Sequence, residues 1–229
     1  YDKVLERSDC TLHISTFMDN PFLSENLKTE IKRLKDTDHD YWLVYGLGQR
    51  GQSRSLVFKF HTCNEIPETA KLLSYGLDFG FASDPSSMCA TYIEGDNMYS
   101  KELLYKKGLT NQDLAYEFVK LGLDRRDEIF ADSSEPKSIE EIHRMGWNIK
   151  GKKKYEINYG IDLIRRYKLY ITKDSTNALK ELESYKYIED RNGDPTNKPV
   201  DKFNHFCDSL RYSVVHKLSY PNYGRYAIK

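Results

Sequence analysis

The stretch Leu72-Leu73-Ser74-Tyr75-Gly76-Leu77-Asp78-Phe79-Gly80 decides how the rest of the chain is read. Leu72–Phe79 is an apolar run of strand length, and the segment Gly80–Pro85 that follows has the composition of a turn. Two more strand-like runs come next, Ser87–Glu94 and Tyr99–Lys106, with Gly95–Asn97 as the turn between them. Strands joined this closely pair antiparallel, so the three predict a meander. Downstream the pattern changes to alternation. Helical spacing marks Asn111–Leu121, Pro136–Met145, Gly160–Tyr167, Asn177–Tyr185 and a long final helix over Pro199–Leu218. Short strands are read between them at Glu128–Ala131, Trp147–Ile149 and Leu169–Thr172. A meander extended by crossover units predicts an α/β fold with a mixed sheet, antiparallel strands beside parallel ones, and helices on both faces.

Acidic residues fall where these elements end. Asp78 closes the first strand, Asp132 follows Glu128–Ala131, and Asp208 lies on the last helix. In open α/β sheets, sites gather at strand ends where the strand order switches. Two carboxylates on neighbouring strand ends repel unless a cation or proton lies between them. On the last helix, spacings of four and three place Asp201, His205 and Asp208 on one stripe, with Phe203, Leu210 and Val214 as the opposing apolar stripe. A lone Asp at a strand end is commonly a turn former, and spacing alone does not bring the three elements together. Asp84, just before Pro85, reads as a turn residue.

The region before residue 60 reads differently. Ser24–Leu34 is a helix with Leu27, Ile31 and Leu34 on one face. Tyr41–Tyr45 and Ser55–Phe60 read as strands around Gly46-Leu47-Gly48-Gln49-Arg50-Gly51, which formally matches GxGxxG. A nucleotide-binding reading of that motif needs a helix after it, and a strand pattern follows instead, so a hairpin connection is the better reading. No GxxxxGK[ST] stretch exists for ATP phosphates. The expected division is an interdomain-like segment over 1–60 packed on a domain over 61–229. The first residue, Tyr1, is not Met, which reads as a trimmed start.

Three stretches resemble a family, the nuclease domains of phage terminase large subunits. Gly76-Leu77-Asp78-Phe79-Gly80-Phe81-Ala82-Ser83-Asp84-Pro85 is similar to the family's opening motif. Ala131-Asp132-Ser133-Ser134-Glu135-Pro136-Lys137-Ser138-Ile139 is similar to its second, and His205-Phe206-Cys207-Asp208-Ser209-Leu210-Arg211-Tyr212 to its third. Thr16–Pro21 and Tyr45–Gly48 resemble the stretch joining the family's ATPase to its nuclease. The resemblance runs in order through essentially the whole chain. It implies a ribonuclease H-like fold and hydrolysis of double-stranded DNA during bacteriophage genome packaging, in the host cytoplasm. It also implies that Asp78, Asp132 and Asp208 hold two divalent ions, Mg²⁺ or Mn²⁺, with His205 close by as a weak ligand or proton shuttle. Asp78 is the expected bridging ligand, and Lys137 reads equally as a contact to the scissile phosphate or as a surface lysine at a helix start. Implied partners are an ATPase domain that this chain lacks, a portal and a small terminase subunit. Cys207 and Ser209 are read as local variations without consequence for the metals.

The chemistry suits the residue types. Phosphodiester hydrolysis needs an activated water and stabilised charge on the leaving oxygen, which two hard cations about 3.5–4 Å apart supply. Such cations prefer carboxylate oxygen. For DNA the expected contact is Lys150-Gly151-Lys152-Lys153-Lys154, with Arg165, Arg166 and Arg211 as secondary candidates. Lys+Arg and Asp+Glu are both 35, so any nucleic-acid surface has to be local. The four cysteines (Cys10, Cys63, Cys89 and Cys207) form no CxxC pair, which favours reduced, buried thiols in a cytosolic setting over disulfides. His61 and Cys63 lack a second ligand pair for zinc. No run approaches the ~20 apolar residues a bilayer demands. Two other readings stand beside the terminase one: a resolvase- or transposase-type nuclease of the same fold, and a catalytically silent docking module.

Overall fold

A computed structural model of the chain describes residues 9–11, 13–37, 42–48, 55–151, 155–190 and 194–219. The chain forms two compact units, residues 1–54 and 55–229. In the first, Thr16 caps a short 3₁₀ turn, Phe17–Asp19, with a reciprocal capping box to Asp19. Helix α1 spans Glu25–Thr37. Trp42–Gly46 is a π-helical turn, where Tyr41–Tyr45 is expected as a strand and Gly46 as the start of a turn. Short apolar runs do not distinguish strand from helix by periodicity. Here the Trp42 ring meets Phe17 edge-on, at 6.0 Å between centroids. Tyr41 and Gln49–Arg54 lie outside the described residues, and Ser55–Phe60, expected as the second strand, is irregular apart from an isolated bridge from Leu56 to Lys186, with Phe60 opening the next strand.

The second unit holds β1 (Phe60–Cys63), β2 (Lys71–Asp78), β3 (Ser86–Glu94), β4 (Asn97–Lys106), α2 (Asn111–Lys120), β5 (Ile129–Ala131), α3 (Pro136–Arg144), β6 (Ile149–Gly151), α4 (Ile157–Arg165), β7 (Lys168–Thr172), α5 (Thr176–Ser184), β8 (Tyr187–Glu189), β9 (Pro195–Pro199) and α6 (His205–Leu218). Seven strands make one sheet in the order β1-β7-β4-β3-β2-β5-β6. β3 runs antiparallel to β2 and β4, and every other pairing is parallel. This is the expected mixed sheet, with the meander at its centre.

Strand alternation sorts side chains onto two faces. Tyr75, Leu77, Met88, Ala90, Ile129 and Ala131 point to one core, closed by Leu114 and Phe118 of α2 and Ile142 of α3. Cys89, Met98, Leu169 and Ile171 point to the other, closed by α4, α5 and α6. Along β2 the residues Ser74 and Gly76 face α6, which approaches unusually closely. A Cβ on Gly76 would lie 1.8 Å from the Ser209 carbonyl oxygen, so glycine is required there. Ser74 Oγ donates to the Ser213 carbonyl oxygen at 2.6 Å, and Thr91 and Ser213 hydroxyls pair at 2.7 Å.

Two expectations change at the last helix. It begins at His205, not Pro199, because Pro195–Pro199 pairs antiparallel with β8 as a separate ribbon. Asp201 and Phe203 therefore precede the helix. Asp201 is not on the stripe of His205 and Asp208, and Phe203 is 72% exposed with a left-handed φ of 52°, so it forms no apolar stripe. Of the cysteines, Cys89 and Cys207 are buried, Cys10 and Cys63 are half-buried, and all four are free. Among the described residues no helix is long and apolar enough to cross a membrane.

Candidate active site

Asp78 is the last residue of β2 and Asp132 the first after β5. These strands are parallel neighbours, so both aspartates emerge at the same end of the sheet. It is also where the strand order switches, since β3 leaves on one side of β2 and β5 returns on the other. Alternation settles which face they share. Asp78 has the parity of Ser74 and Gly76, and Asp132 that of Phe130, whose ring stacks on His216 of α6 at 4.3 Å. Both face α6, which carries His205, Asp208 and Tyr212 at spacings of three and four.

The polar contacts are specific. His205 Nδ1 lies 3.0 Å from Asp78 Oδ2. The Tyr212 hydroxyl donates to Asp132 Oδ2 at 3.2 Å, and the Ser134 backbone N–H donates to Asp132 Oδ1 at 3.2 Å. Arg211 Nη2 donates to Asp208 Oδ1 at 2.6 Å. Beyond His205, its Nε2 is 3.8 Å from Asp84 Oδ1. Asp84 sits on the exposed loop after β2, folded back by Gly80, whose own Cβ would strike the Asp84 carbonyl oxygen at 2.4 Å.

The electrostatics report how close these groups are. Burial pushes the Asp78 carboxyl up to about 6, Asp208 and Asp132 push the same way, and the hydrogen bond from His205 opposes them. His205 is raised above its usual range, first by that hydrogen bond to Asp78. The Tyr212 hydroxyl is driven upward by burial and then by Asp208, Asp78 and Asp132. One phenol thus senses all three carboxylates. The carboxylates repel one another, and each takes a donor of its own: His205, Tyr212 or Arg211. Among the described residues, no three His, Cys, Asp or Glu side chains are arranged to hold a metal ion. The donor chemistry nevertheless suits a hard divalent cation, since all three acids offer carboxylate oxygen from one sheet end.

The expected DNA contacts separate. Lys150 lies on edge strand β6 and is ion-paired to Glu128 at 2.8 Å. Gly151 packs beside Ser133, next to Asp132, and Lys152, Lys153 and Lys154 lie outside the described residues. Lys137 is exposed on the first turn of α3. Arg165 and Arg166 are both exposed, and Arg165 Nε also donates to the Val57 carbonyl oxygen at 2.9 Å. Arg211 is buried against Asp208 and is not available to a surface ligand. A Cβ on Gly160 would come within 2.5 Å of its Cγ, so that glycine makes the room it occupies.

Tyr212 and Ser209 were not foreseen as site residues. Ser209, read as a variation of no consequence for the metals, is fully buried where α6 meets β2, with its hydroxyl 3.4 Å from that of Ser87. The small residues Ser209 and Ser213, one turn apart, are a signal of close packing, but the sequence does not name the strand they pack on.

Comparison with known proteins follows the same residues. Residues 78–216 match the family described as Terminase RNAseH like domain, and residues 1–49 match Phage terminase large subunit. The PBSX phage terminase large subunit of Bacillus subtilis (strain 168) is 26% identical over 207 residues, covering 84% of this chain and 48% of that protein. The terminase large subunit of Bacillus phage SPP1 is 28% identical over 218 residues, covering 87% of this chain and 50% of that protein. The chain therefore spans about half the length of these curated relatives. The crystal structure of the g2p (large terminase) nuclease domain from bacteriophage SPP1, with bound Mn, superposes with a TM-score of 0.61 at 25% identity, over 69% of this chain and 97% of that one.

Proposed function

The chain belongs to the family of terminase RNase H-like domains, and from that premise we propose that it is a metal-dependent endonuclease that cleaves double-stranded DNA during viral genome packaging. One observation carries the reading: Asp78 and Asp132 leave neighbouring parallel strands at one end of the sheet and face the helix that carries Asp208, and the Asp78 carboxyl, raised to about 6 first by burial, is raised further by both other acids. Matches at both 1–49 and 78–216 favour a terminase over a resolvase or transposase of the same fold. The acids and the relative with bound Mn favour an enzyme over a silent docking module.

Asp78, Asp132 and Asp208 would hold Mg²⁺ or Mn²⁺, two ions in the reading that fits this chemistry best. Bound there, such ions supply an activated water and charge stabilisation at the leaving oxygen. Asp78, between the other two acids and His205, is suited to bridge. His205, Tyr212 and Arg211 hold the carboxylates in place, and a bound cation would take over part of that role. His205, half-buried with its Nε2 3.8 Å from the exposed Asp84, is suited to move a proton between the site and solvent. Lys137, exposed on the first turn of α3, is proposed to meet a phosphate, and Lys150, Lys152, Lys153 and Lys154 to track the DNA backbone. The wider assembly proposed is that of a packaging motor in the host cytoplasm, with an ATPase domain, a portal and a small terminase subunit.

Plasmid cleavage tests the reading directly. The chain should nick or linearise supercoiled DNA with Mn²⁺ or Mg²⁺ and be silent in EDTA. Asp78→Asn, Asp132→Asn and Asp208→Asn should each abolish cleavage, since Asn keeps the shape and removes the charge. His205→Ala should cost less, about 10²-fold, as expected for a group that moves a proton. Equal cleavage with and without chelator would sink the proposal.

A further inference from the structure

Glu181 is a buried acid that the site as described does not use. It lies on α5 and is 4% exposed. Its Oε2 accepts from the backbone N–H groups of Phe206 at 2.6 Å and Cys207 at 3.3 Å, both in the first turn of α6. Its Oε1 accepts from the Tyr105 hydroxyl of β4 at 2.7 Å. Burying a carboxylate is unfavourable unless its oxygens are hydrogen-bonded, and here both are. The first N–H groups of a helix need acceptors, and a negative group there is further favoured by the helix dipole. Asn204, at the N-cap of α6, provides no side-chain hydrogen bond. A Ser or Asp at that position would cap the helix locally, but a cap reaching in from α5 does something a local one cannot. It fixes where α6 begins relative to α5 and β4.

The turn held in this way is the one that carries His205 and Asp208. Tyr105 braces the same point, its ring meeting the His205 imidazole edge-on at 6.3 Å between centroids. The middle of α6 is anchored separately, by Ser209 and Ser213 against Gly76, Ser74 and Thr91. We propose that Glu181, braced by Tyr105, is a positioning residue: it clamps the first turn of α6 and so sets the places of His205 and Asp208 relative to Asp78. The inference rests on the reading of this site as a metal-dependent nuclease. Because the helix has a second anchor, loss of the clamp should loosen the turn without releasing the helix.

The test compares the 229-residue chain with Glu181→Ala, Glu181→Gln and Tyr105→Phe. Leu114→Ala, in the core on the other face of the sheet, serves as a control for stability alone. Thermal melts over a Mn²⁺ titration are read alongside kcat and KM for plasmid cleavage. In Glu181→Ala the half-saturating Mn²⁺ concentration, in both melts and cleavage, should rise about tenfold, the equivalent of one charge-assisted hydrogen bond. KM for DNA should stay unchanged. Glu181→Gln should fall between, because its amide oxygen still accepts from the two N–H groups, and Tyr105→Phe should shift in the same direction by less. Leu114→Ala should lower the melting temperature with an unaltered Mn²⁺ midpoint. A Glu181→Ala protein that behaves like Leu114→Ala would overturn the inference while leaving the nuclease reading intact. Should it fail to fold, Glu181→Gln and Tyr105→Phe decide in the same way. A wild-type chain with no Mn²⁺ response in either measurement overturns both.

Discussion

Asp78 is the carboxylate at the site on which most influences converge. Burial, with Asp208 and Asp132 nearby, raises it from the ordinary 3.8 to about 6. The folded chain therefore holds a proton there more tightly than the unfolded chain. Stability contributed by that proton is fully present below about pH 4 and is lost as pH rises to about 6. His205 adds to the trend, since its own raised value means stability is lost again as pH climbs past its ordinary range. In EDTA the wild-type melting temperature should accordingly fall between pH 4 and pH 8. Asp78→Asn removes the strained charge and the partner that raises His205. Its melting temperature should be nearly flat over the same interval and higher than wild type at pH 8. The gap should be on the order of 2 kcal/mol, or about 4–8 °C for a chain of this size. Parallel pH curves for the two proteins would show that Asp78 is not under this strain.

The seating of α6 on the sheet turns that local chemistry into a site, and Gly76 makes it possible. Gly76→Ala puts a methyl group 1.8 Å from the Ser209 carbonyl oxygen, so the helix or the strand has to move. Overpacking of this kind costs about 1–3 kcal/mol and occasionally more. The expected result is a loss at or above the upper end, with cleavage lost beyond what stability explains, because Asp208 travels with the helix. Gly95→Ala is the matched control. It sits at φ +55° with nothing within 4 Å of the new Cβ, so it should cost only the ~1–2 kcal/mol of a left-handed backbone and spare activity. A Gly76→Ala protein as stable and active as Gly95→Ala would disprove the close approach. The contact also marks how far the sequence could be read. β2, β3 and β4 were recognisable because Gly80–Pro85 and Gly95–Asn97 punctuate apolar runs, and the acids stood out at the ends of elements. Pairings set by distant residues did not. The start of α6 was missed because Pro195–Pro199 folds against β8. β6 was read two residues early, as Trp147–Ile149, because an aromatic favours a strand, whereas Trp147 is buried edge-on against Phe118. Nothing in the sequence around Glu181 points to its partners, the Phe206 and Cys207 N–H groups, which lie 25 and 26 residues further along the chain.

Charge over the whole chain balances, 35 basic side chains against 35 acidic, so no general field draws DNA in. On the proposed reading, the sheet end of Asp78 and Asp132, with Asp208 on the helix facing it, adds local negative charge where a phosphate would have to arrive. Divalent ions offset part of that repulsion, and a basic run beside the acids would offset the rest. Lys150 is ion-paired to Glu128 and Gly151 passes beside Ser133, and Lys152, Lys153 and Lys154, outside the described residues, follow Gly151 directly in sequence. If they meet phosphates, each contact displaces condensed counterions, and log affinity falls with log salt by about 0.9 per contact. Replacing all three with Ala should weaken binding of unrelated duplex sequences to a similar degree and flatten the salt slope by up to about 2.7. The measurement is a dissociation constant in EDTA over a series of salt concentrations, which separates the lysines from any ion held by the acids. The Mn²⁺-induced rise in melting temperature should be the same in the triple variant and the wild type, since none of the three is a carboxylate. A slope unchanged by the substitutions would remove the run from the DNA path and shift attention to Lys137, Arg165 and Arg166, the other exposed cations proposed from the sequence.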